Sequence, residues 1–264
     1  MRVLRIGTYA EAMAASGAHP FVRYEFAPDA PLEGLAHPGG GAVALVRHSA
    51  KRGAVISLIG RRLDAQAQLL AQPELADLLF AEARAGLISV PAPLLDDLRE
   101  RFRLGPGGDW EWMVTTVNPP LSSAEGRVLE LGPEWAERLI AFLAQHNPRT
   151  DAEPFARAGQ RWVGVVDDGV AGAVGELAAC GSAEPNQGGI LALAGITVRP
   201  DRRGEGLGAA VTAALTRPGV RADGAVTLGM YADNDSARRI YHALGYRTEV
   251  AFASRVVTAR ERRG

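Results

Sequence analysis

The sequence predicts an α/β fold arranged as two domains, and three observations carry that expectation. The chain has 264 residues, long for one domain and comfortable for two of about 130 each. Apolar residues make up 47% and charged residues 22%, so either half can bury a core. Strand-like and helix-like periodicities alternate along both halves, and a stretch from Asn118-Pro-Pro120 to Gly126 reads as the linker between them. The expected domains are residues 1–120 and 127–264.

In the first half, residues 41–46 and 54–59 are apolar stretches around the polar His48-Ser-Ala-Lys-Arg-Gly53, the pattern of a β-hairpin with a loop. Apolar residues at three- and four-residue spacing predict helices over 64–70 and 74–85. Residues 87–90 read as a short strand and 94–102 as a charged helix. Gly105-Pro-Gly-Gly108 reads as a loop. Residues 109–117 read as a strand with Trp110, Trp112 and Val114 on one face.

From Arg127 the order becomes strand, helix, three strands, helix, strand, helix, strand. Residues 128–131 give the first strand, and Pro133 opens a helix reaching about His146. Strands at 162–166 and 171–177 flank Asp167-Asp-Gly169, a hairpin-turn signal. Residues 190–198 form a long apolar strand. A helix over 206–216, a strand over 226–230, a helix over 235–244 and a closing strand over 248–257 follow. No internal repeat is visible at the level of sequence.

Several function classes are excluded by composition. The single cysteine, Cys180, rules out a disulfide framework and a cysteine-ligated zinc site. His19, His37, His48, His146 and His242 lack metal-ligand spacing, so no metal is expected. Residues 1–125 carry 12 basic and 14 acidic side chains, and residues 126–264 carry 17 and 16. The formal net charge is −1, no basic face is implied, and nucleic acid is not an expected partner. Apolar runs such as Ala54-Val-Ile-Ser-Leu-Ile59 are far shorter than the ~18–20 residues of a membrane helix. The N-terminus shows no signal-peptide pattern, and a soluble cytoplasmic protein is expected.

Two motifs carry the functional reading. The first is Ile196-Thr-Val-Arg-Pro-Asp-Arg-Arg-Gly-Glu-Gly-Leu-Gly208. Pro200 disfavours helix at Arg199 and lets a strand end there. Residues Arg203 to Gly208 then place unpaired N–H groups at a helix start, which favours a pyrophosphate. Gly204, Gly206 and Gly208 lack Cβ atoms and let phosphate oxygens approach the main chain. No Gly-Lys-Ser/Thr is present, and the glycine spacing differs from a dinucleotide fingerprint. The bland alternative is a glycine-rich helix entry with an arginine-rich surface turn. The second motif is Asn234-Asp-Ser-Ala237, then Tyr241, then Gly245-Tyr246. Ala237 and Tyr241 lie four apart on one helix face, and Asn234 suits the helix N-cap.

Together the two motifs resemble the acyl-CoA-binding region of the GNAT N-acetyltransferase superfamily over residues 127–258. Arg203-x-x-Gly206-x-Gly208 matches that family's phosphate pattern without departure. The stretch Leu228-Gly-Met-Tyr-Ala-Asp-Asn234, with Tyr241 and Ser254-Arg255, looks closest to the branch with glycine N-acyltransferase-like C-terminal domains. The resemblance implies a mixed, mostly antiparallel sheet splayed where the cofactor enters, with helices on its faces. It implies that acetyl-CoA is bound by the backbone of Arg203, Gly204, Glu205, Gly206, Leu207, Gly208 and Ala209, with main-chain contacts at Ile196 and Val198. It also implies cofactor contacts at Asn234, Ala237 and Tyr241, and a role for Tyr241 in protonating the leaving thiolate. Asn234 as N-cap and Asn234 as cofactor contact are compatible readings, and Tyr241 could instead simply pack.

An amine nucleophile has to lose a proton, and many relatives place a Glu on the central strand for that step. Here the strand reads Ile190-Leu-Ala-Leu-Ala-Gly-Ile-Thr-Val198 and holds no acid. Glu176 on the preceding strand is the nearest candidate base, against the alternative of a solvated edge residue. His146 and Asp151 follow the first helix, where the family often builds its acceptor pocket. The expectation is therefore an acetyl-CoA-dependent N-acetyltransferase acting on a small-molecule or peptide amine. The alternatives are a longer acyl-CoA donor and a non-catalytic acyl-CoA-binding module. The N-terminal half is either a degenerate second GNAT copy or a separate α/β partner, and homodimerisation stays open.

Overall fold

The computed structural model describes residues 1–49, 53–81, 86–167 and 175–260, which fold as two compact units. The first unit comprises Met1–Trp112, Tyr231–Asp233 and the chain from Glu249 onward. The second comprises Met113–Met230 and Asn234–Thr248. The segment read as a linker therefore lies inside the second unit, and the chain's last strand contributes mainly to the first.

The first unit runs β1 (Leu4–Ile6), α1 (Tyr9–Ser16), α2 (Pro20–Glu25), β2 (Gly34–Ala36), β3 (Val43–Ser49), β4 (Gly53–Ile59), α3 (Leu63–Leu70), α4 (Pro73–Phe80), β5 (Leu87–Pro91), α5 (Leu95–Arg101) and β6 (Phe102–Thr115). In the second unit β7 (Leu129–Leu131), α6 (Ala136–His146), β8 (Arg161–Val166), β9 (Leu177–Pro185), β10 (Leu191–Val198), α7 (Leu207–Asp223), β11 (Val226–Tyr231) and α8 (Asp235–Ala243) follow, and β12 (Arg247–Arg260) ends the chain.

Within the first unit the strand order is β1-β2-β3-β4-β5-β12-β6. Neighbours from β1 to β4 are antiparallel, β4 and β5 are parallel, and β12 is antiparallel to β5. Ala44, Val46, Ile56, Leu58, Ile88 and Val90 build one apolar face, which packs with Leu69, Leu75, Leu79 and Leu98 of α3, α4 and α5. Alternation along each strand puts these residues on one side. In the second unit the order is β7-β8-β9-β10-β11, antiparallel except for the parallel β10–β11 pair. Val211 and Leu215 of α7 pack with Val163, Val165 and Leu193 on one face. Leu139 and Leu143 of α6 pack with Trp162 and Cys180 on the other. Both units thus follow one succession: a strand, helical segments, three antiparallel strands, a helical crossover, and a strand parallel to the third of the three.

Several expectations change. Gly105 to Gly108 is not a loop but lies inside β6. A Cβ on Gly107 would fall 1.9 Å from the Ser254 carbonyl oxygen, so the glycine admits the close approach of β12. The expected strand at 171–177 lies outside the described residues over 171–174, as do 50–52 of the first hairpin loop, 168–169 of the turn signal and 82–85 of the second helix. The described strand is β9, beginning at Leu177, so Glu176 precedes a strand instead of lying on one. The helix expected to stop at 216 continues as α7 through Pro218 to Asp223. One lost N–H costs less there than abandoning the packing of Gly219 and Val220. The elements β1, α1, α2 and β2 were not anticipated.

Candidate functional site

The parallel strands β10 and β11 are in register over Leu191↔Val226, Ala192↔Thr227 and Leu193↔Leu228. Beyond Leu193 the β10–β9 ladder shifts register between Ala194 and Thr197. Gly195 sits in this bulge with φ +65°, and a Cβ there would lie 3.0 Å from Ala152 Cβ and 3.2 Å from the Trp162 ring. The extra residue reverses the side-chain alternation. Leu193 faces the α7 side, and after the bulge Ile196 and Val198 face that side too. Without it they would point at α6. A bulge also leaves main-chain N–H groups outside the ladder, available to an oxygen acceptor.

After β10, Pro200–Arg202 forms one 3-10 turn, and the Arg203 N–H is used on Pro200 O at 3.4 Å. The N–H groups from Gly204 to Ala209 have no acceptor among the described residues, and the first helical bond of α7 runs from Ala210 N–H to Gly206 O. Gly206, the N-cap of α7, has φ +76° and supplies no capping side chain. Six consecutive donors at the positive end of a 17-residue helix are an arrangement that favours an anion. A methyl on Gly206 would touch only Ala124 Cβ, at 4.0 Å, so the glycine answers to backbone conformation and not to internal packing.

Most arginines around this loop are engaged by carboxylates. Arg199 pairs with Asp167 and Asp201 at 2.7 Å and with Glu176 at 3.2 Å. Arg202 pairs with Asp167 and with Glu205, and Arg127 reaches Glu205 at 3.1 Å. The Arg202 and Arg127 guanidiniums hold the Glu205 carboxyl down to about 2, and Arg202 and Arg199 hold Asp167 below the usual range. Arg203 has no carboxylate partner among the described residues. The loop is thus fixed by its own ion pairs, and helix-end N–H groups with Arg203 remain for an anion.

Helix α8 supplies the second half of the site. Asn234 caps it, its side-chain oxygen accepting from Ala237 N–H at 3.1 Å. Ala237, Ile240 and Tyr241 form the face packed on the α7 side of the sheet. A Cβ on Gly208 would lie 3.4 Å from Val198 Cγ2 and 3.6 Å from Ile240 Cδ1, so the end of β10, the start of α7 and α8 converge. Tyr241 is 7% exposed, and desolvation pushes its phenol up to about 12. It therefore stays protonated at neutral pH, the state a proton donor requires.

On the opposite face, Asn147 Nδ2 donates to Thr197 Oγ1 at 3.0 Å, and Thr197 Oγ1 donates to Gly195 O at 2.9 Å. Asn147 and Ala152 thereby buttress the bulge. Neither was singled out from the sequence, although a glycine inside an apolar strand pattern is the usual sign of a bulge. The Glu176 side chain is 87% exposed and ion-paired to Arg199. His146, the last residue of α6, sets its ring 4.8 Å from that of Phe142. No group of His, Cys, Asp and Glu among the described residues could hold a metal ion. No helix among them is long and apolar enough to cross a membrane.

Residues 163–256 match the family described as FR47-like protein. No curated protein matches the chain. A GCN5-related N-acetyltransferase from Sphaerobacter thermophilus superposes with a TM-score of 0.56 at 15% identity, covering 97% of this chain and 96% of that one. A GCN5-related N-acetyltransferase from Kribbella flavida gives 0.51 at 19% identity, covering 85% and 88%. A GNAT-family acetyltransferase from Colwellia psychrerythraea gives 0.51 at 14% identity, covering 98% and 100%. At these identities the likeness is one of fold, and it spans both units. The FR47-like match lies within the C-terminal half, and the fold is the one that these GNAT-type acetyltransferases share.

Proposed function

We propose that the chain is an acetyl-CoA-dependent N-acetyltransferase with its cofactor site in the second unit. One observation carries this reading: six N–H groups at the start of α7, without an acceptor among the described residues, stand at the end of β10. The N–H groups of Gly204 to Ala209, with the free Arg203, would take the pyrophosphate. Pantetheine would pair along β10 at Ile196 and Val198 as an added strand. Asn234 and Ala237 of α8 would border it.

In the transfer, the neutral amine nitrogen attacks the thioester carbon and the carbonyl oxygen gains negative charge. Main-chain N–H groups at the bulge would hold that charge. The C–S bond then breaks, and Tyr241 donates a proton to the sulfur. The nitrogen gives up its extra proton to water. Glu176, exposed and paired to Arg199, stays a candidate base only by way of solvent. The first unit has only Gly60-Arg61-Arg62 between β4 and α3, and Arg62 pairs with Asp64. It lacks the glycine run, and a single cofactor site per chain follows.

A second reading is a non-catalytic acyl-CoA-binding module, favoured by the absence of an acid on β10. Release of free thiol on mixing the protein with acetyl-CoA and amines separates the two. Turnover that saturates in both substrates supports the enzyme; tight cofactor binding without thiol release across a broad amine panel supports the binding module.

A further inference from the structure

The segment from Pro119 to Arg127 lies outside the residues that match the FR47-like family and outside both sequence motifs. Its 3-10 turn, Ser123–Arg127, buries none of its residues, so apolar packing does not hold it in place. Polar contacts do. Ser122 and Glu125 form a capping box, with the Ser122 N–H donating to Glu125 Oε1 at 2.8 Å. Arg217 of α7 donates to the Pro119 and Pro120 carbonyl oxygens and, at 3.0 Å, to Glu125 Oε1. Ala124 Cβ lies 4.0 Å from the place of a Cβ on Gly206, and Arg127 Nη1 donates to Glu205 Oε2 at 3.1 Å. The segment therefore runs back along α7, from Arg217 towards the first turn, and delivers Arg127 beside the phosphate loop.

Arg127 has donors to spare there. A guanidinium carries five N–H groups, and among the described residues Glu205 is the one acceptor that Arg127 has. Its side chain is 42% exposed. Glu205 already has a two-pronged partner in Arg202, whose Nε and Nη2 donate to it at 2.6 and 2.9 Å. The carboxylate thus aims Arg127 without using up its fork. The proposed cofactor has two anionic parts, a pyrophosphate and, one ribose away, a 3′-phosphate monoester close to a dianion at neutral pH. The N–H groups from Gly204 to Ala209 with Arg203 suit the first. The second needs a cation of its own. One Glu side chain and one hydrogen bond separate the Arg127 guanidinium from the loop main chain, a span comparable to a ribose. An arginine fork matches the oxygens of a phosphate monoester in geometry and charge.

On the acetyl-CoA site proposed above, we infer that Arg127 binds the ribose 3′-phosphate and makes the protein select the 3′-phosphorylated cofactor over its dephospho form. Glu205 accepts one N–H and fixes the fork, and the remaining donors take the ester oxygens. No bond is made or broken in this step, and Arg127 sets cofactor specificity without touching the reacting atoms.

Calorimetric titration of the full chain with CoA and with 3′-dephospho-CoA, at one fixed ionic strength, tests this without any turnover. Both probes carry the same pyrophosphate and pantetheine. The wild type should bind CoA about tenfold more tightly, the low end for a charge-assisted hydrogen bond because Arg127 is 42% exposed. Arg127→Gln should cost about tenfold for CoA and leave dephospho-CoA within about threefold. Arg127→Lys keeps the charge and loses the fork, so it should retain part of the preference. The double variant Arg127→Gln, Glu205→Gln separates contact from charge balance. If Arg127 binds the phosphate, the preference stays lost in the double variant; recovery of the wild-type preference would mean that Arg127 only offsets Glu205, and overturns the inference. Equal binding of the two probes by the wild type, or a preference that survives Arg127→Gln, overturns it too and leaves the pyrophosphate site standing. Binding of neither probe overturns the cofactor reading itself, and the inference with it.

Discussion

Gly206→Ala separates the cofactor role of the α7 N-terminus from its structural role. Gly206 has φ +76°, and a Cβ there meets nothing closer than 4.0 Å, so the substitution clashes with no neighbour. Its internal cost is the left-handed conformation, about 1–2 kcal/mol for a residue with a Cβ. For a chain of this size that lowers Tm by roughly 2–8 °C. Gly224 supplies the matched control, since it ends the same helix with φ +73° and open space around its Cβ position. Gly224→Ala should lose the same stability. Only Gly206→Ala should lose cofactor affinity, because its methyl group stands where phosphate oxygens approach the N–H groups of residues 204–209. Losing one charge-assisted hydrogen bond, about 1.5–3 kcal/mol, weakens Kd by roughly ten- to a hundredfold. Differential scanning calorimetry gives the Tm values, and titration with acetyl-CoA gives the Kd values. Equal affinities in the two variants would refute the phosphate-site assignment, whatever the Tm values show.

Other expectations can be checked in the same assays. Tyr241→Phe should slow kcat by roughly tenfold to a hundredfold, at or below the usual range for a general acid because a phenol near 12 is a weak donor, and should leave the Kd for acetyl-CoA within about threefold. An unchanged kcat would remove Tyr241 from the chemistry. Glu176→Gln should leave the rate within about twofold, since that carboxylate is 87% exposed and paired to Arg199. A larger loss would make it the base. Arg217 pairs with Glu125 and donates to Pro119 O at 3.1 Å and Pro120 O at 2.8 Å. Arg217→Ala should cost roughly 2–4 kcal/mol in chemical denaturation, because it strands a part-buried carboxylate and two carbonyls. The Arg217 guanidinium holds the Glu125 carboxyl below its usual range, so this contribution is present above the unfolded value near ~4.5 and is lost as pH falls through the folded one. The variant should therefore show a shallower acid loss of stability than the wild type.

Much of the site is written in local sequence. Glycines at 204, 206 and 208 after Pro200 act through the backbone of one turn, so the strand end and the start of α7 need no tertiary information. Asn234 as the cap of α8 is equally local. Strand β9 is the contrary case. Its Ala178-Ala-Cys-Gly-Ser-Ala183 run lacks the large β-branched residues of a strand pattern, and only burial between two antiparallel neighbours makes it one. Gly105 to Gly108 misled for a related reason, since the glycines serve the approach of β12, more than 140 residues away in the chain. Asn147 and Ala152 were invisible because their importance is a contact to a bulge, and pairwise contacts do not show in one sequence. The short elements β1, α1, α2 and β2 give too few residues for a periodicity, although Thr8 and Glu11 form a capping box that marks the start of α1.

The central claim is tested most directly by calorimetric titration of the full chain with acetyl-CoA, beside NADH and ATP. Saturable binding of acetyl-CoA at one site per chain, with neither other nucleotide binding comparably, is the predicted result. Two equivalent sites would show that the first unit also binds cofactor despite its short Gly60–Arg62 turn. No binding of acetyl-CoA would contradict the account at its root.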